Sequence, residues 1–142
     1  MAKAEIERVI PVSKENVWNV ITDYANYPEF VDGCTRVEVG AKGENKIEVE
    51  YFIHLIKEIS YRLKHDENLE AGQMSWSLLE SDFLKSNNGK WTLESIGKNE
   101  TSVRYEIELE FKIPVPGLIL KKLVKGSLPN LLENIEKRAK DS

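Results

Sequence analysis

Cys34, His54 and His65 are the whole stock of thiol and imidazole in this chain, so nucleophilic and metal chemistry have few places to start. A cysteine becomes a nucleophile when a nearby histidine lowers its thiol pKa. With no histidine placed beside it by the sequence, Cys34 reads as a compact, buried apolar residue. His54 and His65 fall near opposite ends of a candidate hairpin, which separates them and positions neither for general acid–base work; both read as strand-end residues. One cysteine excludes an internal disulfide, and with two histidines it makes a poor metal cage. No catalytic residue, metal site or cofactor is expected.

Aromatic groups are the richer resource. Tyr51, Tyr61, Trp76, Trp91 and Tyr105 all fall on apolar positions of alternating segments, where they either fill a core or line a pocket with hydroxyl and indole N–H groups free to orient a polar head. A second set, Tyr24, Tyr27 and Phe30 with Val31, lies between Asp23 and Cys34. There Pro28 disfavours helical geometry at Tyr27 and Gly33 loosens the chain again, so the segment reads as a lid over a cavity. Asp23, Glu29 and Asp32 around it offer a cation site or a substrate-orienting group, and solvated loop carboxylates are the plainer reading.

Those residues need elements to hold them. Ala4, Ile6, Arg8 and Ile10 alternate with Glu5, Glu7 and Val9, predicting a first strand that ends near Pro11. Ser13 supplies a helix N-cap and Glu15 a negative charge in the first turn, followed by the apolar Val17, Trp18, Val20 and Ile21. From Thr35 to Phe111 the period is two, with breaks at Ala41 to Glu44, Glu70 to Gly72 and Gly97 to Asn99. Asn87-Asn88-Gly89 reads either as another hairpin turn or as a bulge inside a longer strand starting near Phe83. Sequential strands joined this closely should meander. Pro114 and Pro116 stop the ladder, and Leu120, Leu123, Val124, Leu128, Leu131, Leu132 and Ile135 then recur at helical spacing. Pro129 should kink that helix or divide it.

The expected architecture is α+β: a curved antiparallel sheet of about seven strands wrapped around a long C-terminal helix, with short helices after strand one. The 142 residues suit one domain spanning 1–142. No apolar run approaches the ~20 residues needed to cross a bilayer, and Met1 to Glu5 lacks the apolar core of a secretory signal, so a cytoplasmic location is expected. A net charge of −4 argues against DNA binding. Lys121, Lys122, Lys125, Lys137, Arg138 and Lys140 form a basic stripe on the last helix, a candidate contact for RNA or anionic lipid, although Glu133 and Glu136 interrupt it.

The string Asp23-Tyr24-Ala25-Asn26-Tyr27-Pro28-Glu29-Phe30-Val31, with Cys34 close behind, Pro11 to Trp18 before it and Leu128-Pro129-Asn130-Leu131 near the end, resembles the START-like helix-grip superfamily. Within it the chain resembles the polyketide cyclase/dehydrase and coenzyme Q-binding branch, over essentially its whole length. The resemblance implies a helix-grip fold with an elongated apolar cavity between sheet and last helix, holding a lipid, quinone or polyketide-like molecule, in a bacterial setting. It implies cavity-lining or lid roles for Tyr24, Tyr27, Phe30, Tyr51, Tyr61, Trp76, Trp91, Tyr105, Leu120, Val124 and Leu128. It does not imply catalysis. Members often carry Pro-Trp before the cysteine; Asp32-Gly33 stand here, which puts partner contacts made through that tryptophan in doubt.

Three functions follow from these readings. A binder or carrier of a hydrophobic small molecule leads. A protein acting on the ribosome, of the bacterial toxin type, or touching a membrane surface through the last helix is the first alternative, and a cyclase or dehydratase is the second.

Overall fold

A computed structural model describes residues 2–54, 57–122 and 127–141. Seven strands form one antiparallel sheet: β1 (Ala2–Ile10), β2 (Cys34–Lys42), β3 (Lys46–His54), β4 (Glu58–Asn68), β5 (Gln73–Ser81), β6 (Leu84–Gly97) and β7 (Glu100–Phe111). Their order across the sheet is β1-β7-β6-β5-β4-β3-β2. The meander expected from the short connections is therefore present, and β1 closes it by pairing with β7, Ile6 opposite Tyr105.

Helix α1 (Lys14–Ile21) starts where Ser13 accepts the Asn16 backbone N–H at 3.3 Å, satisfying one of the orphan donors of a first turn. It buries Val17, Trp18, Val20 and Ile21. A 3-10 helix, Tyr24–Glu29, follows with Pro28 inside it. Two helical segments are described, α2 (Gly117–Lys122) and α3 (Leu128–Lys140), with Pro129 in the first turn of α3, where a missing N–H costs nothing. Residues 123–126 between them, where the kink or division expected from Pro129 would show, lie outside the described residues. Leu132, Ile135 and Ala139 of α3 are fully buried, and with α1 and the inward residues of the sheet they make the main core.

The Asn87-Asn88-Gly89 alternative resolves as strand. These residues run straight through β6, paired one to one with Leu109, Glu108 and Ile107 of β7, and the register shifts lie elsewhere, at Leu84/Ser86 and Ser95/Gly97. The turn between β5 and β6 falls at Asp82 and Phe83 instead. Gly89 has a positive reason to be glycine. A Cβ there would stand 2.3 Å from Trp76 Cζ2 and 2.4 Å from the Glu106 carbonyl, distances no pair of atoms tolerates, so the bare backbone is what lets the Trp76 indole lie across β6.

Alternation on β2 predicts apolar positions at Val37 and Val39. Val37 is half-buried, but Val39 is 47% exposed. β2 is an edge strand with a register shift after Val39, and Val39 lies past the main core.

Candidate ligand cavity

Period-two strands put every second side chain on one face. On the concave face this assembles Tyr51 from β3, Tyr61, Leu63 and His65 from β4, Trp76 from β5, Asn87 and Trp91 from β6, and Tyr105 and Ile107 from β7. Ring contacts tie them together: Tyr51 to Tyr61 at 5.6 Å, His65 to Trp76 at 6.0 Å, Trp76 stacked on Tyr105 at 5.5 Å and Trp91 against Tyr105 at 4.5 Å. Offset and tilted pairs of this kind are the favoured aromatic geometries.

The rings do not fill the face. An inner lobe of about 100 Å³ lies between them, the lid residues Tyr27, Phe30 and Val31, and Leu131 and Ile135 of α3. An outer lobe of about 200 Å³ continues toward Ile59, Leu84, Leu109, Phe111 and Leu128 and is also lined by Lys3, Asp32 and Ser127. Val31, Ile53, Tyr61, Asn87, Tyr105, Ile107 and Leu131 line both lobes. A cavity that is mostly carbon with a few placed polar groups is the usual form of a small-molecule site.

Of the residues singled out in the sequence, Tyr27, Phe30, Tyr51, Trp76 and Trp91 line the inner lobe, Tyr61 and Tyr105 line both, and Leu128 lines the outer one. Tyr24 is placed differently. Its ring packs on His65 at 4.5 Å and its hydroxyl donates to Glu67 at 2.5 Å, beside a separate hollow formed with the β2–β3 turn. It anchors the lid without touching either lobe. Burial, reinforced by the Glu67 hydrogen bond, holds its phenol protonated. Leu120 lies on α2, and Val124 and Lys125 fall outside the described residues.

The lid is fastened at several points. Tyr27 donates its hydroxyl to the Ile21 carbonyl. Asn134 on α3 donates from Nδ2 to the Phe30 carbonyl at 3.0 Å, while the Arg138 guanidinium lies 4.9 Å over the Phe30 ring and pairs with Glu29 at 3.4 Å and Asp23 at 4.0 Å. Asp23 and Glu29 thus serve α3. Among the described residues no cluster of three metal-ligating groups forms.

His65 corrects the strand-end expectation. It sits inside β4, faces inward and is 3% exposed. Its Nε2 lies 2.8 Å from the Tyr51 hydroxyl and its Nδ1 lies 3.1 Å from Met74 Sδ. A thioether sulfur only accepts, so Nδ1 carries the proton and Nε2 accepts the Tyr51 O–H. Burial pushes the His65 pKa down to about 3, so the imidazole is neutral at physiological pH. His54, by contrast, ends β3 and is exposed. Cys34 is buried, lines the inner lobe and has its thiol pushed up to about 11 by burial, the opposite of an activated nucleophile.

Asn87 was not singled out by the sequence. It is 3% exposed and accepts the Trp76 indole N–H on Oδ1 at 2.9 Å. Counting back by two from Trp91 puts it on the inward face, but the Asn-Asn-Gly string looks like turn chemistry and concealed that phase. Gly89 and Asn87 act together: the first admits the indole and the second receives its N–H.

This is the geometry of a family. Residues 10–136 match the family model described as polyketide cyclase/dehydrase and lipid transport, and the chain belongs to that family. Its helix-grip fold is that of the START superfamily. An aromatase/cyclase from Streptomyces sp. R1128 superposes with a TM-score of 0.86 over 97% of this chain and 93% of that one, at 13% identity. A START superfamily protein from Mycobacterium smegmatis gives 0.85 over 99% of each chain at 16% identity. A STAR-related lipid transfer protein from Xanthomonas axonopodis gives 0.76 over 96% of this chain and 84% of that one, at 12% identity. No curated protein sequence matches the chain. Among the described residues no helix is long and apolar enough to cross a membrane.

Proposed function

We propose that this protein binds and carries a hydrophobic small molecule, of the lipid, quinone or polyketide-like kind, in the two lobes between the sheet and α3. The observation that carries this reading is the unfilled, carbon-rich space of about 100 and 200 Å³ in the middle of an otherwise close-packed face; interiors normally leave few voids of that size. Phe30 lines the inner lobe and is tied to α3 by Asn134, and the fold is shared with a protein described as a STAR-related lipid transfer protein.

Titration with the fluorophore aminoanthracene tests the reading. Saturable binding at one site, with quenching of Trp76 and Trp91 and displacement by apolar competitors, is expected. No saturable binding contradicts it.

A second reading, a cyclase or dehydratase, is favoured by one observation: the Tyr51–His65 pair places a protonated phenol and a neutral imidazole on the wall of the inner lobe, so the cavity is not carbon alone, and the fold is shared with an aromatase/cyclase. Turnover of a bound poly-β-keto substrate, lost in Tyr51→Phe, would favour this reading over carriage. The ribosome or membrane-surface alternative draws less support, because Lys137, Arg138 and Lys140 of the basic stripe face Glu133, Glu29 and Glu136 at 3.1–3.4 Å.

A further inference from the structure

The five tyrosines divide by what their hydroxyls do. Tyr24, Tyr27 and Tyr51 each have a protein partner. Tyr61 and Tyr105 have none among the described residues, and these are the two tyrosines that line both lobes. Asn87 completes the pattern. Its Oδ1 is taken by Trp76, which fixes the amide orientation and leaves the Nδ2 amino group, with its two N–H donors, unpartnered in a side chain that is 97% buried. Buried polar groups without partners are uncommon and costly. Here a buried Asn87, a buried Tyr105 and a half-buried Tyr61 put three groups without a protein partner among the described residues on one place, the waist where the lobes meet.

The lobes on either side differ. The inner one is walled by rings such as Tyr27, Trp76 and Trp91; the outer one is largely aliphatic, with Lys3 and Asp32 as its charged lining residues. Resting on the carrier reading, we infer that the waist formed by Asn87, Tyr61 and Tyr105 is a recognition site for an acceptor oxygen in the middle of a neutral ligand, a carbonyl with a flat aromatic part on one side and an aliphatic part on the other. Asn87 can only donate through its free amino group, and both phenols can donate as well, so the waist offers donors in excess and suits a carbonyl. An amine or an ammonium group would find no anionic partner there. A fatty acid, with its oxygens at one end, cannot place a chain in both lobes while its carboxyl occupies the waist.

The test compares two neutral probes of matched shape, a naphthyl propyl ketone and its deoxy analogue butylnaphthalene, titrated against the intact protein by tryptophan quenching. The ketone should bind about tenfold more tightly, the worth of a net hydrogen bond in a buried site. Asn87→Leu should erase that preference while leaving the hydrocarbon's affinity close to its original value. If Asn87→Leu fails to fold because Trp76 loses its acceptor, the double variant Tyr61→Phe and Tyr105→Phe, which keeps both rings, decides, and should lower the preference at least threefold. Equal binding of the two probes, or a preference that survives the variants, overturns the waist assignment and leaves the carrier reading standing. Binding of neither probe overturns both.

Discussion

The Tyr51 hydroxyl donates to His65 Nε2 at 2.8 Å across two neighbouring strands, inside a wall of aromatic rings. The partner on the far side of the imidazole is the Met74 sulfur at 3.1 Å, so no carboxylate is hydrogen-bonded to the ring to stabilise an imidazolium. The groups packed around it are Tyr24, Tyr51 and Trp76, and the nearby Glu67 carboxylate is engaged by Tyr24.

That relationship fixes a pH dependence. His65 titrates near 6.5 in the unfolded chain and near 3 when folded, so below pH 6.5 the unfolded state binds the extra proton. Stability is full above that pH and falls as pH drops through the window from 6.5 toward 3, by up to about 1.4 kcal/mol per pH unit. Urea unfolding at pH 7.5, 6 and 5 should show this slope for the native protein, with these pH values chosen around the histidine range of about 6.5. A folded His65→Leu variant should lose most of it; an unchanged slope contradicts the placement.

Gly89 should be intolerant of any side chain. A Cβ would meet Trp76 Cζ2 at 2.3 Å and the backbone of Glu106 at 2.4 Å, and the carbonyl cannot swing aside because β6 and β7 are paired there. Gly89→Ala is expected to destabilise by about 1–3 kcal/mol, as overpacking does, and to change the near-ultraviolet circular dichroism of Trp76. Gly97→Ala, whose nearest neighbour would stand at 3.6 Å, should cost far less.

The lid should loosen without the domain unfolding. Asn134→Ala removes the side-chain hydrogen bond that α3 donates to the Phe30 carbonyl at 3.0 Å, a loss of about 1 kcal/mol. Hydrogen exchange at the amides of Phe30 and Val31 should accelerate by about fivefold, with exchange on β6 and β7 unchanged. Equal acceleration in the central strands would mean that the contact supports the whole fold and not the lid.

Much of this was legible in sequence because one periodicity dominates. Strands with one dry face announce themselves, and Ser13 announces α1. The aromatic set Tyr51, Tyr61, Trp76, Trp91 and Tyr105 followed from that phase. The polar members of the wall did not. His65 continues the phase of Ile59, Tyr61 and Leu63, but a histidine gives no apolar signal; Asn87 was hidden behind turn-like neighbours. Tyr24 and Tyr27 look equivalent in sequence, and only the 3-10 geometry of the lid turns one toward Glu67 and the other toward the cavity. Val39 shows the opposite error, since alternation says nothing about where an edge strand outruns its cover.

The central claim is an occupied cavity, and native mass spectrometry of the protein purified from cells tests it most directly, with Ile107→Trp as its partner because Ile107 lines both lobes. The native protein should carry one neutral, apolar adduct that is released on unfolding, and the folded variant should carry much less of it. A native protein found only at its sequence mass, and unable to take up aminoanthracene, would contradict the account.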